Sequence, residues 1–488
     1  MDQIVRPAEE GLDPDSWVEA ERLGHRVVED AIHHLRTIRE RPAWQAMPEA
    51  VRAAFETAAP RDPTPLDEVY RAVTERVMPY PMGNIHPRFW AWYMGSANLT
   101  GALGDFLAAV QGSNLGGGDH AAVLVERQVV NWLKEMIGFP ADASGTLVSG
   151  GSVANLLALN VARNVKAGID VRELGVAAIE RSLRFYASDQ VHSCHRKSVE
   201  ALGLGNRALR RIASDAGFRI DLAALRAAIA EDRACGFAPA CIIASAGTVN
   251  TGAFDDLEAL ADLAAEEGLW LHVDGCIGAL IAIAPENRWR VAGIGRADSV
   301  ALDPHKWLHA PFEVGCALVR DPAAHRDTFA VNPEYLASQP RGLAAAEWLY
   351  DYGLQTSRGF RALKVWMALK EQGVAKFGRL IDQNIAQGRY LADLIAGEPL
   401  LELAAPVGIN IVCFRYRPRA MDDAALKALN VEIMLRLQEQ GIAVLSDTTV
   451  RGRHCLRVAI NNHRTRRADL DLLVREILRL GREIDAER

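Results

Sequence analysis

Five short apolar segments, separated by helical patterns, constrain the fold of this chain more than any other feature of its sequence. We predict β-strands at residues 183–188, 209–213, 240–245, 269–274 and 298–303. Strands that alternate with helices form mostly parallel sheets. An antiparallel strand is expected at residues 314–319. The sequence therefore predicts an α/β protein whose ligands bind at the carboxyl ends of the parallel strands.

Two of these predicted strands end in residues with useful chemistry. Asp274 ends one apolar segment, and Lys306 lies just past another. Apolar walls would lower the pKa of Lys306 and leave a neutral amine that forms a Schiff base with an aldehyde. The carboxylate of Asp274 can pair with a protonated ring nitrogen. A turn lysine and a loop-capping acid are the alternatives, but both strand ends together favour a pyridoxal phosphate enzyme.

Small residues also open a predicted helix upstream of these two strands. The segment 147–157 reads LVSGGSVANLL. Free backbone N–H groups at a helix start, without side chains that block approach, suit a phosphate group. Gly151 and Ser152 are therefore candidate phosphate-binding residues, with an ordinary helix cap as the alternative.

The segments Val273-Asp274 and Asp303-Pro304-His305-Lys306-Trp307 resemble the group II pyridoxal-phosphate-dependent amino acid decarboxylases, the family of aromatic-L-amino-acid and glutamate decarboxylases. The resemblance extends over residues 86–464. It implies a fold-type I architecture with a large, mostly parallel sheet of the seven-stranded type, a small C-terminal α/β domain and an N-terminal helical segment. We expect these units at residues 99–373, 374–488 and 1–98. The resemblance also implies a homodimer with shared active sites, clasped by the N-terminal helices.

The resemblance assigns residues to the cofactor, pyridoxal 5'-phosphate, which Lys306 would carry. His192 would stack on the cofactor ring and act in catalysis. Further cofactor contacts are implied at Gly151, Ser152, Thr248, Asp274, His305 and Ser357.

The resemblance also places Tyr335 in a catalytic loop, where its hydroxyl would deliver a proton to the substrate carbon after carbon dioxide leaves. A phenylalanine at this place accompanies oxygen-dependent aldehyde formation in the family. Tyr335 therefore favours an amine product, with an aromatic aldehyde synthase as the alternative. Arg457 matches the arginine that holds the substrate carboxylate, as a bidentate fork can do.

An aromatic segment, residues 84–95, leads to our prediction of the substrate. The resemblance places it at the substrate pocket, so Trp92 and Tyr93 are candidate walls for a flat side chain, although such clusters are more often core. We therefore predict an aromatic L-amino acid. An acidic substrate of the glutamate or cysteine sulfinate type is the alternative, because Arg88 could pair with its side chain. The alternation of side chains along a strand would point Arg88 to the same side as Trp90 and Trp92.

The resemblance implies that a glycine-rich loop, residues 112–120, reaches the pocket of the neighbouring subunit. Aromatic decarboxylases carry bulky residues in this loop, whereas this chain has Asn114 and Gly116. Asn114 is thus a candidate substrate contact that suits a polar or unusually large side chain.

Two other classes of function have weaker signals in the chain. Residues 203–208 superficially match a dinucleotide fingerprint, but a helix is predicted before them and a strand after them, so a nicotinamide oxidoreductase is disfavoured. Cys194 and His195 suggest a metal, yet no second ligand pair follows at suitable spacing, so we expect none. A non-catalytic homologue is the remaining alternative.

Composition excludes several further classes. The 488 residues are 49% hydrophobic with a net charge of −7, which lacks the basic excess of nucleic-acid-binding proteins. Seven cysteines without a disulfide framework indicate a reducing compartment. No apolar core of a signal peptide and no apolar run of about 20 residues is present, so we expect a cytoplasmic protein without a membrane span.

Overall fold

The computed structural model describes residues 11–331, 338–418 and 421–487. The β-strands are β1 (Ser144–Val148), β2 (Leu183–Ser188), β3 (Leu209–Ile212), β4 (Ala238–Ser245), β5 (Trp270–Asp274), β6 (Ser299–Leu302), β7 (Gly315–Val319), β8 (Leu401–Leu403), β9 (Ile411–Tyr416), β10 (Ser446–Val450) and β11 (Arg453–Ala459). The α-helices are α1 (Trp17–Arg36), α2 (Glu49–Ala53), α3 (Leu66–Arg76), α4 (Leu99–Gln111), α5 (Ala121–Ile137), α6 (Gly151–Lys166), α7 (Val171–Leu174), α8 (Cys194–Ala201), α9 (Leu222–Ala234), α10 (Leu257–Glu267), α11 (Pro304–Trp307), α12 (Pro322–Phe329), α13 (Ala362–Gln372), α14 (Val374–Ala396), α15 (Asp423–Glu439) and α16 (Arg467–Ala486).

A large sheet dominates the fold. Among the described residues, seven strands form it in the order β1-β7-β6-β5-β4-β2-β3. Strands β2 to β6 pair in parallel, and β7 is antiparallel to both of its neighbours. The prediction of a mostly parallel sheet with an antiparallel strand at residues 314–319 is therefore confirmed. Strand β1 was not predicted, because its sequence SGTLV holds only a short apolar run.

The apolar sequence of the central strands explains their burial. Every residue of β6 is buried, and β4 is buried over its last six residues. Parallel strands covered by helices on both faces read as continuous apolar runs rather than alternating ones. Strands β4, β5 and β6 end close together in the sheet, at Ser245, Asp274 and Leu302, so the turns that follow them meet at one edge.

A smaller antiparallel sheet follows in the chain, with the order β10-β11-β9-β8 in the described part. Helices α14, α15 and α16 pack on it around buried apolar side chains that include Phe414, Leu437 and Leu456. Each such side chain contributes about 1.5–3 kcal/mol when fully buried. Trp90 joins this core from outside the small sheet. The limits predicted for the N-terminal segment, the large domain and the small domain, at residues 1–98, 99–373 and 374–488, stay predictions.

The N-terminal helices expose much of their apolar surface. Helices α1 and α3 are joined by Arg22 and Arg26, which both pair with Asp67. Tyr70 donates a hydrogen bond to Asp30 over 2.7 Å. The apolar residues that stay exposed on these helices are Trp17, Val18, Val27, Val28, Ile32, Leu66, Val69 and Val73. In the residues that the structure describes, none of the helices combines the length and apolar character needed to cross a membrane.

The aromatic segment 84–95 is not a strand, so the predicted alternation of its side chains is wrong. Its only β contact among the described residues is a single bridge between Phe89 and Val444. Trp90 is 1% exposed in the core, whereas Trp92 is 50% exposed. The Nε atom of Arg88 donates to the carbonyl oxygen of Ile442 over 2.7 Å. Arg88 therefore does not point with Trp92.

Candidate active site

A cleft of about 550 Å³ lies at the carboxyl ends of the parallel strands, beside β10 and β11. We call it the strand-end cleft. The predicted site residues that line it are Gly151, Ser152, His192, Thr248, Asp274, His305, Lys306, Trp92, Tyr93 and Arg457. Residues from the large sheet, the small sheet and the aromatic segment thus meet in one place.

Asp274 ends strand β5 and is held as an anion. Its Oδ2 atom accepts a hydrogen bond of 2.8 Å from Nε2 of His195, and its Oδ1 accepts one of 3.2 Å from the backbone N–H of Cys276. Burial opposes the charge, but the hydrogen bond and positive charge of His195 outweigh it and hold the pKa of Asp274 well below its usual range. Such a carboxylate can keep a bound pyridine nitrogen protonated.

His195 was considered from sequence only as a metal ligand, and its contact with Asp274 was missed. The imidazole is fully buried, and Nδ1 has no hydrogen-bond partner among the described residues. Burial favours the neutral ring, but the negative groups Cys194 and Asp274 raise the pKa of His195 to about 10. The sequence held no local signal for this contact, because His192 lies before helix α8 and His195 lies inside it, so their spacing does not fix where His195 points.

Cys194, His195 and Asp274 place potential metal-binding atoms within 4.8 Å of one another. The direct hydrogen bond between His195 and Asp274 already uses two of these atoms. We assign no metal to this group, and the absence of a metal stays a prediction.

Lys306 lies in the cleft one turn after Asp303, and its ammonium nitrogen is 2.9 Å from Oδ2 of that acid. The sequence predicted a lowered pKa. Burial does act in that direction, but the nearby negative charge, foremost that of Asp303, outweighs it and raises the pKa of Lys306. The expectation of a neutral amine is therefore wrong for this structure, because it considered the apolar walls and not the acid three residues earlier.

The start of helix α6 forms a cradle for an anion. The backbone N–H groups of Gly151 and Ser152 make no hydrogen bond to any described residue. A Cβ atom at Gly151 would overlap Sγ of Cys276 and lie 2.8 Å from Oδ2 of Asp303. Glycine is therefore required here, and the exposed N–H groups suit a phosphate.

Three further predicted cofactor contacts are fixed by their neighbours. Nδ1 of His192 accepts a hydrogen bond of 3.2 Å from the backbone of Cys194, which leaves Nε2 as the nitrogen that can carry a proton. The hydroxyl of Thr248 accepts one of 3.0 Å from the N–H of Ala253. Nδ1 of His305 donates to the carbonyl of Val314 over 2.7 Å, and burial lowers the pKa of this imidazole.

Arg457 connects the small sheet to the aromatic wall. Its guanidinium donates to the carbonyl oxygen of Trp92 over 2.6 Å and to two further carbonyls, those of Asn250 and Val249, as well as to Oγ of Ser446. All four acceptors are neutral. Because an arginine has five N–H groups, a bidentate grip on a substrate carboxylate requires displacement of one of these acceptors. The predicted role of Arg457 in substrate binding stays a prediction.

Trp92 and Tyr93 form the aromatic side of the cleft. Trp92 has a φ of 55°, which is unusual for a residue with a side chain, and the hydrogen bond from Arg457 holds this backbone. Tyr93 is buried, and its hydroxyl donates to Oδ1 of Asn410 over 3.2 Å. Nζ of Lys306 lies 5.9 Å from the centre of the Tyr93 ring. A flat side chain can therefore reach the lysine between these residues.

Two predicted site residues do not line the cleft in the described part of this single chain. Ser357 is exposed outside it. Asn114 is also exposed, and its Oδ1 accepts hydrogen bonds from the backbone N–H groups of Gly116 and Arg358. It thus fixes its own loop, and its contact with substrate in a second subunit stays a prediction. Tyr335 lies outside the described residues.

Residues 48–417 match the family described as "Pyridoxal-dependent decarboxylase conserved domain". The chain belongs to this family. An aromatic-L-amino-acid decarboxylase of Bacillus atrophaeus is 34% identical over 475 residues, which cover 96% of each protein. A phenylacetaldehyde synthase of a Rosa hybrid cultivar is 28% identical over 465 residues, covering 92% of this chain and 90% of that protein. The resemblance inferred from the sequence is confirmed.

A solved structure agrees with this assignment. The structure of Oryza sativa TDC with PLP and tryptamine superposes with a TM-score of 0.89 at 26% identity, and the match covers 97% of this chain and 100% of that one. The fold-type I architecture is thereby confirmed. The helix that precedes Gly203 and the strand that follows Ala208 also agree with rejection of a dinucleotide fingerprint.

The residues of this decarboxylase fit its cofactor, pyridoxal 5'-phosphate. The amine of Lys306 can hold it covalently, the N–H groups of Gly151 and Ser152 can bind its phosphate, and the anionic Asp274 can pair with its ring nitrogen. Sequence reasoning missed two residues of this site. They are His195, which bonds to Asp274, and Asp303, which pairs with Lys306.

Proposed function

We propose that this pyridoxal-dependent decarboxylase converts an aromatic L-amino acid to its amine and carbon dioxide. The observation that carries the proposal is the meeting of Lys306, the anionic Asp274 and the aromatic pair Trp92 and Tyr93 in one cleft. Arg88 makes its hydrogen bond to Ile442 outside this cleft, which removes the feature that favoured an acidic substrate. The relative from Bacillus atrophaeus supports the same substrate class.

Some residues of the cleft bind the substrate, and others set the charge of the cofactor ring. When bound, the cofactor supplies an electron sink for the electrons that departing carbon dioxide leaves behind. Asp274 favours a protonated ring nitrogen, because its carboxylate is itself kept ionised by His195. Arg457 supplies a cationic group at the aromatic wall, and burial among neutral oxygens strengthens its attraction for an incoming carboxylate. Trp92 and Tyr93 exclude water from an apolar side chain.

The proposed active form is a homodimer. One face of helix α4 carries Leu103, Phe106, Leu107 and Val110 at spacings of three and four residues, and all are exposed, Phe106 to 61% and Val110 to 70%. An apolar stripe of this kind on a helix needs a partner surface. The glycine-rich loop with Asn114 directly follows this helix. We propose that pairing of two chains through α1, α3 and α4 brings this loop to the cleft of the second subunit. The cytoplasmic location stays a prediction.

An oxygen-dependent aldehyde synthase is the second candidate function. The similarity to the phenylacetaldehyde synthase of the Rosa hybrid cultivar favours it. The tyrosine at position 335 favours the amine product instead, as expected from the sequence.

The test combines the cofactor and the product. Purified protein supplied with pyridoxal phosphate should be yellow, and borohydride should fix the cofactor on Lys306, as read by peptide mass spectrometry. The variant K306A should lose this label, while K197A, which removes an exposed lysine of helix α8, should keep it. Carbon dioxide release is then measured for the twenty amino acids and common non-proteinogenic acids. A preference for an acidic amino acid over every aromatic one would overturn the substrate proposal.

A further inference from the structure

Asp303 and Lys306 form an ion pair inside the strand-end cleft. Oδ2 of Asp303 lies 2.9 Å from Nζ of Lys306, and the two side chains are only 3% and 15% exposed. Asp303 is the residue before the short helix α11, and Lys306 is its third residue, so the two side chains lie on the same side of one turn. The local backbone therefore holds this contact.

Asp303 has little else to neutralise it. Its Oδ1 atom is buried and has no hydrogen-bond partner among the described residues. Nε2 of His305 is 3.7 Å from Oδ2, but burial lowers the pKa of that imidazole, so it favours the neutral form. Lys306 is thus the main positive partner of this carboxylate.

The other titratable groups near Lys306 do not replace Asp303. Asp274 already receives a hydrogen bond from His195. Burial raises the pKa of the Cys276 thiol well above its usual value, which keeps it uncharged at neutral pH. The groups that act on the charge of Lys306 are therefore Asp303 and Asp274 as anions, with His192, His305 and Cys276 as further neighbours.

We propose that Asp303 keeps Lys306 as an ammonium ion in the cofactor-free chain and takes its proton when the lysine attacks the cofactor aldehyde. An ammonium nitrogen has no lone pair and cannot attack a carbonyl carbon. One proton must first move from Nζ to Oδ2 of Asp303, which is already at hydrogen-bond distance.

All three hydrogens of the ammonium group are accounted for in this step. The free lone pair of Nζ forms a bond to the aldehyde carbon, and the carbon–oxygen double bond breaks. The oxygen leaves as water with two hydrogens that came from the ammonium group, one of them by way of Asp303. The new carbon–nitrogen double bond keeps the third hydrogen and the positive charge, so no proton is gained or lost overall.

The test measures covalent capture of the cofactor instead of turnover. Cofactor-free, full-length wild type and the variant D303N are mixed with pyridoxal phosphate over a range of pH. The rate of appearance of the visible absorbance is recorded, and the product is fixed with borohydride and weighed by mass spectrometry. Loss of an opposite charge at this distance changes a pKa by about 1–3 units. The pH of half-maximal capture rate should therefore be lower in D303N by about 1–3 units.

Two further variants make the result specific. D303S also removes the charge, with a smaller side chain, and should show the same downward displacement if D303N folds poorly. D447N removes one negative charge from the exposed rim of the cleft and should keep the wild-type pH profile. Unchanged profiles in D303N and D303S, or an equal displacement in D447N, would overturn the inference.

The inference rests on the proposed function only through the cofactor. If wild type captures pyridoxal phosphate on Lys306 but the Asp303 variants follow the same pH profile, only the inference fails. If wild type captures no cofactor at any pH, the proposed function fails with it.

Discussion

Nε2 of His195 donates a hydrogen bond of 2.8 Å to Oδ2 of Asp274 from a ring that is fully buried. The two residues are 79 positions apart in the chain and meet because α8 follows β2 while Asp274 ends β5. A buried charge is stable only with such a partner. The hydrogen bond thus makes His195 the residue that keeps Asp274 ionised for the cofactor ring.

The first prediction concerns the affinity for the cofactor. The variant H195Q removes the positive charge beside Asp274, so the carboxylate should be less anionic and pair less well with the ring nitrogen. A hydrogen bond to a charged group contributes about 1.5–3 kcal/mol, which corresponds to about 10- to 100-fold weaker binding of pyridoxal phosphate. Fluorescence titration of the cofactor-free protein measures this change.

A second histidine provides the control for general loss of stability. His325 is equally buried, and its Nδ1 lies 2.8 Å from Oγ of Ser144, outside the cleft. H325Q should leave the cofactor affinity within about twofold of wild type. Equal losses in H195Q and H325Q would show that the effect is structural.

The second prediction follows from the protonation of His195. Folding raises its pKa from 6.5 to about 10. A group whose pKa is raised on folding stabilises the protein fully below its unfolded pKa, and this contribution is lost as the pH rises through the folded value. The thermal midpoint of cofactor-free wild type should therefore exceed that of H195Q near pH 6, and the difference should narrow towards pH 10. A difference that stays constant over this range would contradict the assignment.

Local sequence patterns were sufficient to locate the centre of the site. Gly151 begins helix α6, Asp274 ends strand β5 and Lys306 lies in the short helix α11 just after β6, and the carboxyl ends of parallel strands meet at one edge. Their approximate positions therefore depend only on the order of strands and helices, which the apolar segments predict. The same reasoning located the antiparallel strand at residues 314–319.

Contacts between distant segments could not be read in this way. The protonation of Lys306 depends on a competition between burial and the charge of Asp303, and apolar neighbours alone gave the wrong direction. Trp90 and Trp92 separate because Trp90 enters the core of the small sheet while Trp92 lines the cleft, and no strand alternation applies to this segment. The neutral acceptors around Arg457 come from three separate parts of the chain. Only packing determines these relationships.

The third prediction separates Arg457 from Arg88. R457K keeps a charge but loses the planar fork that holds the carbonyl of Trp92. The KM for an aromatic amino acid should rise by about 10- to 100-fold, since charged hydrogen bonds contribute about 1.5–3 kcal/mol, with the absorbance of the bound cofactor unchanged. R88K should leave both KM and the preference for aromatic over acidic substrates as in wild type. A shift in the preference for aromatic over acidic substrates in R88K would show that Arg88 contacts the substrate.

The fourth prediction tests the dimer. F106E places a charge in the exposed apolar stripe of helix α4 and should prevent pairing, because an unpaired charge is costly in an apolar interface. Sedimentation should show a monomer without decarboxylase activity. L174E changes another apolar residue, 59% exposed on helix α7, and should remain dimeric and active. A fully active F106E monomer would refute shared active sites.

The last prediction concerns Tyr335, which lies outside the described residues and whose role stays a prediction. If its hydroxyl protonates the substrate carbon after decarboxylation, Y335F removes the acid and leaves an electron-rich carbon that oxygen can attack. The variant should therefore consume amino acid while its product changes from amine to aldehyde and ammonia, with uptake of oxygen, which accepts two electrons and is released as hydrogen peroxide. Chromatography of the products together with an oxygen electrode measures this change.

Y70F is the control for loss of a tyrosine hydroxyl. It removes a hydroxyl that bonds to Asp30 in the N-terminal helices and should still form amine. Aldehyde as the main product of wild type would identify the chain as an aldehyde synthase despite its tyrosine, and amine as the main product of Y335F would assign the proton to another group.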